Sequence, residues 1–250
     1  HRDLHLSIRR QRQMCIRDSE CIIVGAKGNF HGRSVAAVSM SDDADSKDGF
    51  GPFVPGIELV PYNDYDALEV LFEKKGEKIA SFMVEPIQGE AGVIVPDQDY
   101  FPKVSELCRK HNVLLAMDEV QTGFGRTGKS FAAEAFNVTP DIMTIAKGMT
   151  CGMVPMGGVM VKEEIYETFM TGPEDSIEFY HGYTYSGHPL AAAAGLATLN
   201  VYEEEGLFQR ASELAPILEE ELQTVKGSNY VIDTRNYGLL GAIELEPIEG

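Results

Sequence analysis

The sequence is short of cysteine, and the cysteines it has are not spaced to hold a metal. Cys15, Cys21, Cys108 and Cys151 stand far apart with no CxxC pair, which excludes a zinc ribbon and suits reduced thiols in a cytoplasmic protein. The six histidines form no HExxH or paired Cys/His pattern, so no metal site is expected. No stretch approaches the roughly 18 consecutive apolar residues of a membrane helix. Basic residues are outnumbered, 21 Lys and Arg against 39 Asp and Glu. The resulting net charge of −18 would repel nucleic acid and anionic lipid alike. Internal repeats and low-complexity segments are absent too. What is present is a 250-residue chain, 44% hydrophobic, with enough apolar material for a full-sized core.

The first 19 residues differ from the rest. They hold five Arg and two Asp, a net of +3, which leaves −21 on residues 20–250. An Arg-rich, acid-poor start is one mark of a mitochondrial transit peptide, yet there is no initiator Met and little amphipathic order. The stretch RQRQMCIRDS resembles translated sequencing-adapter text, so residues 1–19 are read as a non-native or disordered leader outside the fold.

From Glu20 onward, short apolar runs alternate with helical patterns. Candidate strands are Cys21–Val24, Ile57–Val60, Ile79–Val84, Val113–Met117, Ile142–Ile145 and Gly158–Val161. Candidate helices are Tyr65–Lys74, Tyr100–His111, Lys162–Met170, Pro189–Glu204 and Leu207–Val225. This alternation predicts an α/β architecture, a mostly parallel sheet flanked by helices. Continuous runs such as VLLAM predict strands buried on both faces. Residues 41–56, rich in Gly, Pro and Asp, predict an ordered loop whose aromatics are buried. After Glu205 the pattern turns to long amphipathic helix and then to a strand pair near 229–245. That predicts a partial large domain over 20–205 and the start of a smaller α/β domain over 206–250.

Three polar residues end three successive apolar strands. Glu85 follows IASFMV, Asp118 follows VLLAM, and Lys147 lies two residues past IMTI. Ligands of open α/β sheets bind outside the carboxyl ends of the strands, so these side chains are expected to converge. A lysine facing carboxylates in a crevice suits Schiff-base chemistry, the amine attacking an aldehyde while a buried carboxylate keeps a pyridine nitrogen protonated. The small neighbours Ala146 and Gly148 are expected to leave room for a ligand beside the backbone.

Five segments make this specific: GNFHGRS (28–34), VEPIQGEAGVIVP (84–96), MDEVQTGFGRTGK (117–129), PDIMTIAKG (140–148) and YHGYTYSGHPLAAAAG (180–195). In order and spacing they resemble the class III aminotransferases, over about Glu20 to Gly250. The resemblance implies a pyridoxal-phosphate-dependent transferase of fold type I, incomplete at both ends and a homodimer when whole. Its cofactor would be pyridoxal 5'-phosphate, and its small-molecule partners an ω-amino donor and a 2-oxo acid. Lys147 would be the Schiff-base lysine and Asp118 the partner of the ring nitrogen. Phe30 would stack on the ring with His31 beside it, and Gln121 would bond the ring's phenolic oxygen. Glu85 would support the Asp118 region while Glu90 faces the substrate. Thr184 would reach the cofactor phosphate of the neighbouring subunit.

Upstream of Asp118, phrases such as GFGPFVPGIELVPYND resemble ornithine aminotransferases. Downstream of Gly128, FAAEAFNVTPDIMTIAKG and the segments after it resemble β-alanine (ω-amino acid):pyruvate aminotransferases. A join between two genes within 117–129 and a natural relative with mixed features both account for this. The family's phosphate-cradling Ser/Gly loop belongs before residue 20, and its substrate-carboxylate arginine after Gly250. The chain alone is therefore expected to bind cofactor weakly and not to turn over, an inert aminotransferase-fold chain being the alternative.

One rival class has its own motif. Residues 123–130, GFGRTGKS, match the phosphate-loop pattern of ATPases. The first Gly does not follow its strand directly, the next helical stretch is short, and no apolar-Asp strand follows. Those features weigh against an ATPase.

Overall fold

The computed structural model describes residues 21–170 and 181–247. The expected leader, residues 1–19, lies outside them. Six strands, β1 (Ile22–Ala26), β2 (Ile57–Val60), β3 (Ile79–Val84), β4 (Leu114–Asp118), β5 (Ile142–Ile145) and β6 (Gly158–Val161), form one sheet in the order β2-β1-β3-β4-β5-β6. All neighbours are parallel except β6, which runs antiparallel to β5. The order is that of a doubly wound sheet, whose crossovers demand helices between strands. Those are α1 (Val35–Ser39), α2 (Ala44–Lys47), α3 (Tyr65–Lys75), α4 (Tyr100–Lys110) and α5 (Ala132–Ala135), with α6 (Glu163–Phe169) after β6. Asp64 caps α3 through its side chain, and Lys74 and Lys75 sit in the last turn, where they suit the helix dipole.

Strand register divides the sheet into two faces. One carries Val24, Ala26, Phe82, Val84, Leu115, Met117, Met143 and Ile145, all buried. Leu68 and Phe72 of α3, Val104 and Leu107 of α4, and Ala132 and Ala133 of α5 complete this core together with Phe101 and Phe136. Burying each large apolar side chain stabilises by about 1.5–3 kcal/mol, so this face holds the sheet together. The opposite face is less covered. Its rows run through Ile23, Ser81, Leu114, Ile142 and Val161, and at the strand ends through Asp118, Thr144 and Val159. Ile23 is 38% exposed and Val159 63%. Burial on both faces therefore holds for the middle of β4 but not for β1 or β6.

The loop 41–56 also departs from expectation. It contains the single turn α2, capped by Asp43, and its aromatics are not buried: Phe50 is 72% exposed. Phe53 lies under the Lys47 ammonium, 5.1 Å from the ring centroid, a cation–π contact in place of core burial.

Past residue 180 come α7 (Pro189–Glu204), α8 (Leu207–Thr224) and the antiparallel hairpin of β7 (Val231–Tyr237) and β8 (Leu240–Leu245), a separate two-stranded sheet. The hairpin docks on the main body. Tyr237 stacks on Phe136, and Leu239 N–H donates to the Arg126 carbonyl over 2.7 Å. Among the described residues no helix is long and apolar enough to cross a membrane.

Candidate active site

Parallel pairing sets Asp118 beside Thr144, and Val84 beside Met117. Continuing the register by one residue brings Glu85 opposite Asp118, while Lys147 follows β5 by two residues. The three strand-end residues thus share the carboxyl edge of three neighbouring strands. Asp118 is buried, and its Oδ2 lies 2.8 Å from His31 Nδ1 while Oδ1 accepts from Val120 N–H. With Nδ1 carrying the imidazole proton, His31 donates to this carboxylate. The His31 side chain is 1% exposed, and its Nε2 is buried without a hydrogen-bond partner.

Glu85 is buried between two loops. Oε1 accepts from Phe30 N–H at 2.8 Å and Oε2 from Gly89 N–H at 3.2 Å, pinning the turn after β1 to the turn after β3. Burial raises its pKa, opposed by those two amides and by His31, with Asp118 adding to the rise. A raised folded pKa means that the folded protein keeps a proton the unfolded chain has already released. That contribution to stability is full at low pH and is lost as pH climbs from about 4.5 through the raised value. Glu85→Gln carries no such proton. Thermal melts from pH 4.5 to neutrality should show a flatter pH dependence for the variant than for the wild type, and equal slopes would contradict the shift.

Glu119 is the competitor of Asp118 in sequence, and strand alternation sends it to the other side. There it is fully buried, accepting from Thr122 Oγ1 and from the amides of Ala132 and Ala133 at the start of α5. Its oxygens are occupied by local donors, which makes it a clamp on the 119–133 loop.

Gln121 and Glu90 meet at the rim. Gln121 Nε2 donates to Glu90 Oε1 at 3.4 Å, and Glu90 is exposed. An added Cβ at position 89 would come 2.2 Å from Gln121 Oε1, so a larger residue there would push the Gln121 amide aside. A cleft of about 460 Å³ opens beside this group, lined by Phe30, His31, Arg33, Asp42 and Glu90 among others. Neither Asp118 nor Lys147 lines it. The Phe30 ring carries the Arg33 guanidinium 5.4 Å from its centroid.

Sequence reading missed Arg235. From β7 its Nε donates to the Gly92 carbonyl at 2.8 Å, and its Nη1 bonds Asp233 and Glu244. It thereby ties the hairpin to the loop that carries Glu90. Local pattern gives no signal for a partner 143 residues away. Arg235→Ala should destabilise only modestly, because the two carboxylates that lose their shared cation are half exposed and rehydrate. Hydrogen exchange should quicken at the amides of 89–93. Unaltered exchange there would rule out a latch.

Lys147 is exposed and opens a single 3-10 turn, Lys147–Met149, with φ of +45°. Among the described residues its amine forms no ion pair. The space beside Gly148, expected to be left for a ligand, is filled by the Phe124 side chain, 2.6 Å from where a Cβ would stand. Thr184 stands in an exposed turn ahead of α7 and does not join the group around Asp118.

The segment 123–130 is no phosphate cradle. Gly123 N–H, Phe124 N–H and Gly128 N–H already donate to the carbonyls of Glu119, Ser130 and Gly125, and the helix that follows is four residues long. A phosphate loop needs those amides turned toward the ligand at a helix N-terminus.

Comparison with known proteins gives this edge a context. The omega-amino acid–pyruvate aminotransferase of Pseudomonas putida is 41% identical over 249 residues, covering 91% of this chain and 56% of that protein. The mitochondrial ornithine aminotransferase of Rattus norvegicus is 47% identical over 221 residues, 88% of this chain and 48% of that protein. The crystal structure of an (S)-enantioselective omega-transaminase from Thermomicrobium roseum superposes with a TM-score of 0.88 at 35% identity, covering 96% of this chain and 57% of that one. The chain spans about half the length of the curated relatives that it matches. Both groups expected from its two halves are present at similar identity, and the sheet described above is consistent with fold type I. Residues 5–249 match the family model Aminotransferase class-III, and the chain belongs to that family.

Proposed function

We propose that this chain forms the central part of a pyridoxal-phosphate-dependent aminotransferase that moves an amino group from an ω-amino donor, ornithine-like or β-alanine-like, to a 2-oxo acid. The observation that carries this reading is that a buried carboxylate and an exposed lysine, which forms no ion pair among the described residues, stand at the ends of adjacent strands. The donor set suits the cofactor. Asp118 is held rigidly by His31 and Val120, and each of its oxygens retains a lone pair for a further donor. The buried Nε2 of His31, without a partner among the described residues, is also available to a bound group.

When bound, pyridoxal phosphate supplies an aldehyde to amines and a pyridinium ring that draws electrons from a neighbouring C–H bond. On this reading Asp118 holds the proton at the ring nitrogen, and His31 keeps the carboxylate oriented. Lys147 Nζ would hold the group through its aldehyde and would serve as the general acid and base that carries the proton during transfer. Gln121 orients the ring's phenolic oxygen, Phe30 flanks the ring, Glu85 fixes the loop that presents Phe30, and Glu90 faces the donor. Thr184 acts across a homodimer, a reading supported by the exposure of every residue from 181 to 190, Tyr183 and Tyr185 included.

The test measures turnover by the full-length protein that contains this segment, with ornithine and β-alanine as donors against 2-oxoglutarate and pyruvate as acceptors. Transfer from an ω-amine supports the proposal. Transfer from α-amino acids alone contradicts it.

A further inference from the structure

The turn that carries Lys147 has an anchor far away in sequence. A left-handed backbone at a non-glycine residue persists only where its surroundings hold it. Here α7 packs against the turn at two points seven residues apart, about two helical turns. At Gly195 an added Cβ would stand 3.7 Å from the Met149 carbonyl oxygen. At the second point, Tyr202 Oη donates to the Gly148 carbonyl at 2.6 Å. The Tyr202 ring stacks on Phe124, with centroids 6.0 Å apart and planes at 25°, and Phe124 is the side chain that fills the space beside Gly148. Phe208 of α8 supports the ring from 5.1 Å.

Cys151 Sγ lies 3.2 Å from Tyr202 Oη. A carbonyl only accepts, so the single phenol proton goes to Gly148, and the thiol donates to the phenol oxygen. Burial and then the Cys151 contact hold the Tyr202 hydroxyl above the ordinary phenol range, so it stays a donor at every working pH. Sequence alone gave no reason to single out Tyr202, which reads as one more helical aromatic.

We propose that the Tyr202 hydroxyl is a positioning group: it grips the Gly148 carbonyl, holds the Lys147 turn in its left-handed form, and so aims the lysine amine. The inference rests on Lys147 being the reacting amine. Tyr202→Phe keeps the ring stack and removes only the hydroxyl. Two readouts are taken on the 250-residue chain: amide hydrogen exchange at 148–151, and the rate at which borohydride traps pyridoxal phosphate on Lys147. Loss of one hydrogen bond should quicken exchange at 148–151 and slow trapping on Lys147, each about tenfold. Amides of β3 and β4 should keep wild-type exchange. Cys151→Ala, which leaves the Tyr202–Gly148 bond in place, should match the wild type in both readouts. Unchanged exchange in Tyr202→Phe overturns the proposal, as does faster exchange with unchanged trapping, which would make the contact purely structural. A larger effect from Cys151→Ala overturns it too, by making the thiol the anchor. If the wild type traps cofactor on another lysine, the reading of Lys147 fails by itself. Exchange at 148–151 then still decides whether Tyr202 grips the turn.

Discussion

In the full-length protein that contains this segment, Lys147→Ala should abolish borohydride-dependent attachment of pyridoxal phosphate at the site and reduce turnover to background. On the proposed reading two functions disappear together, since the amine would be both the nucleophile and the group that moves the proton. General acid–base catalysis alone contributes roughly 100- to 10,000-fold, and loss of the nucleophile comes on top of that. The fold should be unaffected, because the side chain is exposed and forms no ion pair among the described residues. Only the left-handed backbone constrains the replacement, and alanine tolerates that conformation no worse than lysine. Mass spectrometry of the reduced protein, alongside a thermal melt, separates the two effects. A variant that melts like the wild type and still takes up label at the site assigns the chemistry to a different lysine.

The second large effect is expected at Asp118. Asp118→Asn keeps the shape but presents a neutral amide to His31 and to the ring nitrogen. Turnover should fall by roughly 100- to 1,000-fold, the size of losing one preorganised charge-stabilising partner. Glu119→Gln should act differently. Both Glu119 oxygens accept from N–H or O–H donors, so an amide NH2 at that place faces a donor it cannot satisfy. The expected result is a loss of about 1–3 kcal/mol in stability with a smaller effect on turnover. Paired melts and steady-state rates distinguish these outcomes. The opposite ranking would mean that Glu119, not Asp118, faces the reacting group.

Much of the scaffold can be read from local pattern. β2, β3, β5, β6 and α7 run between the residues that apolar runs and punctuation predict. Parallel core strands are short apolar blocks between turn residues, and Pro189 at the start of α7 fixes its first turn. The placement of Glu85, Asp118 and Lys147 along one edge of the sheet also follows from pattern, because all three lie at or just past the ends of parallel strands. What could not be read depends on contacts between distant residues. His31 and Asp118 are 87 residues apart, Tyr202 and Gly148 are 54 apart, and Arg235 reaches Gly92 across 143. No periodicity encodes such pairs. The exposure of Phe50 and the filling of the space at Gly148 by Phe124 were misjudged for a related reason, since composition says that a residue is apolar or small without naming its neighbour.

The central claim is that Lys147 is the amine that takes the cofactor, and peptide mapping tests it most directly. The chain is incubated with pyridoxal 5'-phosphate, reduced with borohydride and digested, and the modified peptide is sequenced. The account predicts that the label concentrates on the peptide spanning PDIMTIAKG, at Lys147. Label concentrated on another lysine, or spread evenly over the exposed ones such as Lys74, Lys103 and Lys110, would contradict it.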